Sequence, residues 1–152
     1  MITYSNIVSN FKAWVDAHPN LETFSYGQPT ASDLDKYELY PLAHLHYMGA
    51  DYGERSKTYR LELYLLDGPP VKAGTTGQQQ VDSVSHMEQV AEDLIVDIRK
   101  EGSHWSWTKY QYQLAGVGAS PLERTTTNEL CGTLVTLAIT VPYLNDHCNL
   151  PL

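Results

Sequence analysis

The sequence is poor in cysteine and contains no long hydrophobic run. Its 152 residues include only two cysteines, Cys131 and Cys148, which is far from the dense, even spacing of a disulfide-stabilised secreted domain. Both are therefore predicted to be reduced thiols. No stretch approaches the roughly 18 apolar residues of a membrane-spanning helix, and the first residues, Met1–Asn6, lack the basic and apolar regions of a signal peptide. These absences predict a cytosolic protein without a membrane segment.

Positive charge is also scarce. Ten Lys and Arg residues stand against eighteen Asp and Glu residues, which gives a formal net charge of −8. No basic cluster is denser than Arg55–Lys57 or Arg99–Lys100. Binding to nucleic acid through its phosphates requires a basic face, so direct or sequence-specific binding to DNA or RNA is disfavoured. An acidic surface can still face DNA, but only by repelling it.

The residues that are present are those of one folded domain. A hydrophobic fraction of 42% and a charged fraction of 18% are ordinary for a globular protein. A chain of 152 residues can bury one substantial core and is too short for two ordinary domains. We therefore expect residues 1–152 to form a single domain.

Two segments carry apolar residues at the three- and four-residue steps of an amphipathic helix. The first predicts a helix over 4–17 that Thr3 or Ser5 caps and that Pro19 ends. Its apolar stripe consists of Tyr4, Ile7, Val8, Phe11, Trp14 and Val15. The second predicts a long helix over 79–101, followed by Gly102 as its C-terminal cap. Its stripe consists of Val81, Val84, Met87, Val90, Ala91, Leu94, Ile95 and Ile98.

Alternating apolar and polar residues predict the strands. Strands 37–48 and 55–66 form a long hairpin over 37–66, and two further strands cover 103–114 and 129–141. A short extended piece over 22–26, loops over 67–80 and 115–128, and an arm over 142–152 complete the chain. The simplest architecture that buries both helical stripes is a two-layer α+β sandwich, in which two helices pack on one face of a four-stranded, mainly antiparallel sheet.

The other face of such a sheet has no helix to cover it. On a regular third strand Trp105 and Trp107 share one face, and Tyr110 and Tyr112 share the opposite one. The tyrosines either form a protein interface or merely cover the sheet, and both interpretations remain open. Together with the hairpin, the 67–80 loop and the apolar arm, this face predicts a domain that assembles with other chains.

Two histidines offer the clearest candidate for a metal site. His44 and His46 lie two apart on a strand, so their side chains share a face and could occupy two corners of a zinc site. No third ligand is evident near them in the sequence. A role at a surface or an interface is therefore favoured over metal binding.

The remaining motifs do not support catalysis. His147 and Cys148 are adjacent on an extended arm and point in opposite directions, so they make a poor base and nucleophile. Gly116-Val117-Gly118 lacks the third glycine of a dinucleotide-binding loop and is interpreted as a turn. Carboxylates on the long helix, Glu88, Glu92 and Asp93, are expected to form a solvated face. No catalytic, cofactor-binding or metal-binding residue is predicted.

Several short segments, spread over nearly the whole chain, carry a likeness to a known family of proteins. The long amphipathic helix and the strand pair that ends at Leu65-Leu66-Asp67 belong to this likeness. The other segments are His18-Pro19-Asn20, Phe24-Ser25-Tyr26-Gly27, Asp33-Leu34-Asp35, Tyr40-Pro41-Leu42 and Pro142-Tyr143-Leu144 with Cys148. Taken together, they make the chain resemble tail-terminator and related neck or tail-completion proteins of tailed bacteriophages.

The resemblance implies a non-enzymatic virion protein without a cofactor, assembled in the host cytoplasm. Its subunits would form a six-membered ring that caps the tail tube, binds the head–tail connector and lets DNA pass. It also implies assembly contacts through 47–58 and 68–80. The expected interface residues are Tyr47, Tyr52, Glu54, Arg55, Val71, Lys72, Tyr143, Leu144 and Leu150. The alternatives are another neck or head-completion adaptor, a tube-like virion protein, or a small metal- or ligand-binding domain that uses His44 and His46.

Overall fold

A computed structural model of the chain describes residues 2–29, 40–67, 77–100, 104–107, 112–122 and 130–142. It confirms the predicted α+β class with two helices and a mainly antiparallel sheet. In chain order the elements are α1 (Tyr4–Ala17), β1 (Thr23–Tyr26), β2 (Leu42–Tyr52), β3 (Ser56–Leu66), α2 (Gly77–Arg99), β4 (Gln113–Leu122) and β5 (Gly132–Pro142). Neither helix within these ranges combines the length and the apolar character needed to cross a membrane.

The first helix has the predicted bounds, and its N-terminus is closed by a capping box. Thr3 Oγ1 accepts a hydrogen bond from the Asn6 amide, and Asn6 Oδ1 accepts one from the Thr3 amide. These bonds satisfy two donors that the first helical turn would otherwise leave unpaired. At the other end His18 is already in an extended conformation, as expected for the residue before Pro19.

Within the described residues the sheet has five strands, one more than the four that were predicted. Its order is β1-β2-β3-β5-β4; β1 pairs parallel with β2, and the other three pairings are antiparallel. The additional strand is β1, which the sequence suggests only as a short extended piece. Four residues show too few alternations to identify a paired strand. Its pairing with β2 makes the sheet mixed.

The hairpin begins and turns later than predicted. The first strand covers Leu42–Tyr52 where 37–48 was predicted, and the second covers Ser56–Leu66 where 55–66 was predicted. Gly49 does not end the first strand because it lies at a bulge, with a positive φ of 116° that glycine tolerates. The predicted six-residue tip is therefore a short turn that begins at Gly53, whose amide donates to the Ser56 carbonyl.

The predicted third strand over 103–114 is wrong. Within it, residues 104–107 form no strand, and β4 instead covers Gln113–Leu122, where a loop over 115–128 was expected. The last strand is Gly132–Pro142, close to the predicted 129–141. The misplacement has a physical cause: the aromatic residues that suggested a strand are core side chains, whereas β4 is rich in glycine and alanine, which have low strand propensity.

Several predicted segments lie wholly or partly outside the described residues. They comprise positions 37–39 of the expected hairpin, 68–76 of the expected 67–80 loop, 101 of the expected long helix, 103 and 108–111 of the expected third strand, 123–128 of the expected 115–128 loop, 129 of the expected last strand and 143–152 of the expected arm. The long helix, predicted over 79–101, is described from Gly77 to Arg99.

One hydrophobic core lies between the two helices and one face of the sheet. The helices contribute Ile7, Phe11, Trp14, Val15, Met87, Val90, Ala91, Leu94 and Ile98. Alternate strand positions contribute Ala43, Leu45, Tyr59, Leu61, Leu63, Leu65, Val135, Leu137, Ile139 and Val141. The other members of the two helical stripes are less buried: Tyr4, Val8, Val84 and Ile95 are partly buried, and Val81 is 56% exposed.

The aromatic segment 104–107 closes the core between α1 and α2. Buried Asn10 of α1 donates to Ser106 Oγ at 3.0 Å and accepts from the Ser106 amide at 2.7 Å. Trp105 Nε1 donates to Asp97 of α2 at 2.7 Å. Trp105 and Trp107 are both buried in the core, so the prediction that they share the face of a strand is wrong.

Candidate functional site

The second face of the sheet is the candidate functional surface, because no helix of the described chain packs on it. Across β2, β3, β5 and β4 its side chains form transverse rows that the strand registers define. One row is His44, Tyr64, Leu134 and Ser120; the next is His46, Glu62, Thr136 and Gly118; the third is Gly49, Arg60, Ala138 and Gly116. The face is therefore polar at β2 and β3, and its side chains become small toward β4.

One end of this face is covered by a small apolar cluster that the sequence did not predict. Leu42, Leu66 and Leu130 are fully buried, and Tyr40, Tyr64 and Leu122 pack against them. The cluster lies at the end of the sheet opposite the β2–β3 turn, beside the pairing of Leu42 with Leu66. Only the half of the face nearer that turn is thus open to a partner.

His44 is a buried structural residue. Its Nε2 atom donates to the Gly27 carbonyl oxygen at 2.9 Å, so its Nδ1 atom, 2.6 Å from Ser25 Oγ, accepts from that hydroxyl. The side chain is only 3% exposed. These two bonds tie β2 to β1 and to the turn that follows it, and they occupy both ring nitrogens.

The neighbouring His46 lies on the same face, as predicted, but its surroundings differ. His46 Nδ1 is 3.7 Å from Glu62 Oε2 and forms no hydrogen bond. The Tyr64 hydroxyl donates to the same carboxylate at 2.9 Å. Burial, and then the hydrogen bond to Glu62, raise the pKa of Tyr64 to about 12.

His44 and His46 do not form the two corners of a metal site. A metal ion needs an unprotonated ring nitrogen with a free lone pair, and His44 directs both nitrogens at protein atoms. Among the described residues no group of three or more His, Cys, Asp or Glu side chains is placed to hold a metal ion. The cluster of His46, Glu62 and Tyr64 is instead a half-buried polar patch with one carboxylate.

A groove of about 450 Å³ opens beside this patch. Its floor is made of small residues, Gly116, Gly118, Thr136 and Ala138, and its walls include Met48, Arg60 and Glu62. Gly116 and Gly118 lie in strand β4, so the prediction that Gly116-Val117-Gly118 forms a turn is wrong. Because these two glycines have no side chains, no described residue closes the groove toward the edge of the sheet.

The two charged residues at the groove differ in their partners. Arg60 Nε lies 3.1 Å from Asp51 Oδ2 across the hairpin, so an acid of the same chain already neutralises Arg60. No lysine or arginine of the described chain forms an ion pair with Glu62. The groove therefore presents one carboxylate whose nearest partners are a phenol and a histidine ring.

The turn between β2 and β3 is the second exposed surface, which we call the hairpin tip (residues 52–57). Tyr52 is 67% exposed, and Glu54 and Arg55 beside it are also exposed. Lys57 Nζ lies 5.1 Å from the centre of the Tyr52 ring and 4.5 Å from that of Tyr59. Contacts with the hydroxyls of Tyr59 and then Tyr52 raise the pKa of Lys57.

Of the predicted interface residues, the structure brings Tyr52, Glu54 and Arg55 together at this tip. Tyr47 is half-buried and stacks on Tyr4 of α1, with ring centres 4.4 Å apart, so it serves the packing of the helix. The other predicted interface residues lie outside the described ranges: Val71, Lys72, Tyr143, Leu144 and Leu150.

The expected display of tyrosines on the open face is not what the structure shows. Tyr112 is buried on the core side, where its hydroxyl donates to the Ile98 carbonyl at 2.5 Å. Tyr64 is the tyrosine of the described strands that lies on the open face, and Tyr110 lies outside the described residues. The open face is therefore a groove with a carboxylate rather than an aromatic surface.

The remaining candidates are Cys131, the pair His147 and Cys148, and the carboxylates of α2. Cys131 is buried, and His147 and Cys148 lie outside the described residues. Glu88, Glu92 and Asp93 are exposed on α2, where His18 Nε2 lies 3.1 Å from Asp93 Oδ2, as expected for a solvated face. No model of a known protein family matches the chain, and no curated protein matches it.

Proposed function

We propose that this chain is a structural protein of a tailed-bacteriophage virion, a tail-terminator subunit. Six copies would form a ring that caps the tail tube and joins it to the head–tail connector. The chain would act through protein contacts, without catalysis or a cofactor. The observation that carries this proposal is the presence of two unlike surfaces, the hairpin tip and the open groove, on one domain.

Two unlike surfaces are what a ring requires. A twofold dimer uses the same patch on both copies, whereas a closed ring joins one patch of each copy to a different patch of the next. The hairpin tip is positive at Arg55 and Lys57 and carries an exposed aromatic ring at Tyr52. The groove is concave and has the Glu62 carboxylate on its wall. The two surfaces thus differ in shape and in charge.

The composition of the hairpin tip suits a contact between proteins. Tyrosine supplies a large contact area with few torsions to freeze, and arginine and tyrosine are enriched where interface binding energy concentrates. Lys57 holds the two tyrosine rings next to it by cation–π contact, so Tyr52 is partly ordered before a partner arrives.

The net charge of −8 is consistent with a ring around DNA. A ring wall with few basic residues makes few contacts with DNA phosphates and so gains little from counterion release. DNA can therefore pass through the ring without being held. Another neck or head-completion adaptor, or a tube-like virion protein, would use the same surfaces with different neighbours. A metal-binding domain is disfavoured because both ring nitrogens of His44 are engaged.

The oligomeric state of the purified chain tests the proposal. We expect light scattering and electron microscopy to show rings, either for the chain alone or after addition of tail-tube protein. Combining Tyr52→Ala with Arg55→Glu should abolish the rings, whereas Lys12→Ala on the outer side of α1 should leave them intact. A wild-type chain that stays monomeric under all these conditions, tube protein included, would contradict the proposal.

Which protein the ring binds separates the terminator from its alternatives. The chain can be sedimented with purified tube protein, with connector protein or with both. We expect to recover it in a complex with each of these two proteins. A chain that binds connector protein and never tube protein would be a neck adaptor instead.

A further inference from the structure

Within the described residues, the outer edge of β4 is an unpaired strand edge. β4 is the last strand of the sheet, and within the described ranges no strand pairs with its other side. Natural edge strands carry charged residues that prevent further pairing, but Gln113–Leu122 has none. A bulge after Leu114 and a proline at Pro121 limit regular pairing to Gly116–Ser120. This leaves five residues ready to pair, about the length of an ordinary strand.

The groove opens at this same edge. In the row that runs from β3 to β4, Glu62 is followed by Thr136 and then by Gly118. A Cβ built on Gly118 would meet no atom within 4 Å. An added strand beside β4 would lie about 14 Å from β3 at the usual strand spacing. A long side chain opposite Gly118 would lie over the glycine and reach toward Glu62.

The charge in the groove determines which kind of side chain from an added strand would bind there. Arg60 is paired with Asp51, whereas Glu62 has no lysine or arginine partner in the described chain. A half-buried carboxylate gains most from a cation that can donate hydrogen bonds to it. Arginine and lysine also have long apolar stems, which can lie over Ala138, Gly118 and Met48.

We propose that β4 binds an extended segment of a partner protein, which adds a sixth strand and places an arginine or lysine in the groove against Glu62. Main-chain hydrogen bonds along Gly116–Ser120 supply the affinity, and the groove supplies the selection for a basic side chain. This inference concerns the edge of the sheet and holds whether or not the chain forms a ring.

Short peptides test the proposal on the folded chain. The probe is a peptide of alternating threonine and valine with one central arginine, and its control has glutamine at that position. In amide NMR titrations the arginine peptide should shift the resonances of Gly116–Ser120 and bind about tenfold more tightly than the control.

Three variants of the chain identify the site. Glu62→Gln should remove the preference for arginine, since glutamine keeps the acceptor for Tyr64 but not the charge. Gly118→Val should remove the tighter binding of the arginine peptide by filling the floor of the groove, where an added Cβ atom has room. Glu88→Gln, on the exposed side of α2, should bind both peptides as the wild type does.

The outcomes that overturn the proposal are distinct from failure of ring assembly. It is wrong if the Gly116–Ser120 resonances do not move, if both peptides bind equally, or if Glu62→Gln keeps the preference. A wild-type self-association that Gly118→Val abolishes, with no peptide binding, would show that a second copy occupies the edge and would also overturn it. Rings that persist in the Gly118→Val variant leave the proposed virion role intact.

Discussion

Gly132 of β5 lies directly against the backbone of Leu65 in β3, so closely that a Cβ atom at position 132 would be 1.8 Å from the Leu65 carbonyl oxygen. The contact occurs where β5 begins and pairs with the end of β3, next to the Leu42–Leu66–Leu130 cluster. No rotamer change can relieve a clash between a Cβ and a backbone atom. Any other residue at this position must therefore move a central strand.

The first prediction is that Gly132→Ala lowers the free energy of unfolding by about 3 kcal/mol or leaves the chain insoluble. Gly118→Ala is the matched control, because its Cβ meets open space on the edge strand, and it should change stability by less than about 1 kcal/mol. Urea unfolding followed by circular dichroism measures both. Equal stability of the two variants would show that β3 and β5 are not this close.

The second prediction concerns Asn10, which holds the segment 104–107 on α1. Asn10→Ala removes the acceptor of the Ser106 amide, which leaves this partly buried donor without that hydrogen bond. We expect a loss of about 2 kcal/mol, with a red shift of tryptophan emission because Trp105 and Trp107 flank that amide. Lys12→Ala, which removes an exposed ion pair with Asp16 on the same helix, should cost less than about 0.5 kcal/mol. Unchanged emission in Asn10→Ala would contradict the assignment.

The third prediction tests whether His44 has a structural role or binds a metal ion. Adding Zn²⁺ to the metal-free chain should not raise its melting temperature, because both nitrogens of His44 bond to protein atoms. His44→Ala should lower stability by about 2 kcal/mol to the same extent with Zn²⁺ and with a chelator. Calorimetry measures both effects. A zinc-induced stabilisation that is lost in His46→Ala would revive the metal-binding alternative.

The fourth prediction is a change of stability with pH from Tyr64. The folded state raises the pKa of this phenol from 10.0 to about 12, so at alkaline pH the unfolded chain loses the proton first. The stabilisation is thus complete below about pH 10 and decreases as the pH rises toward about 12. Tyr64→Phe should flatten this part of the profile in urea unfolding series. Because burial also raises the pKa of Tyr4, Tyr4→Phe serves as the comparison. An unaltered profile in Tyr64→Phe would show that the Glu62 contact does not hold the proton.

The helices and the hairpin could be predicted from sequence because their signals are local. The stripe of α1, its cap at Thr3 and the proline after His18 fix its ends within a few residues. The alternation of Tyr59, Leu61, Leu63 and Leu65 likewise identified β3 and its buried face. Such patterns arise because a single helix or strand packs one of its faces on the core. They can therefore be recognised without knowing which elements lie beside it.

The sequence-based predictions were wrong where contacts with another element of the chain decide the local structure. Trp105 and Trp107 have the residue types of a strand, but Asn10 and Asp97 hold their segment between the helices. β4 consists of small residues that favour no strand, and it becomes one by pairing with β5. The candidate groove was missed for the same reason, since it exists only where Gly116 and Gly118 lie beside Ala138 and Thr136.

The pairing of β3 with β5 has a consequence for how the chain is made. The two strands join residues 56–66 to 132–142, and α2 and β4 both lie between them in the sequence. While the ribosome synthesises the chain, β1, β2 and β3 emerge early, but the inner edge of β3 has no partner until the last strand follows. An apolar strand edge that stays unpaired during synthesis is a site of misassembly. The nascent chain is therefore most vulnerable to aggregation until residues 132–142 have left the ribosome.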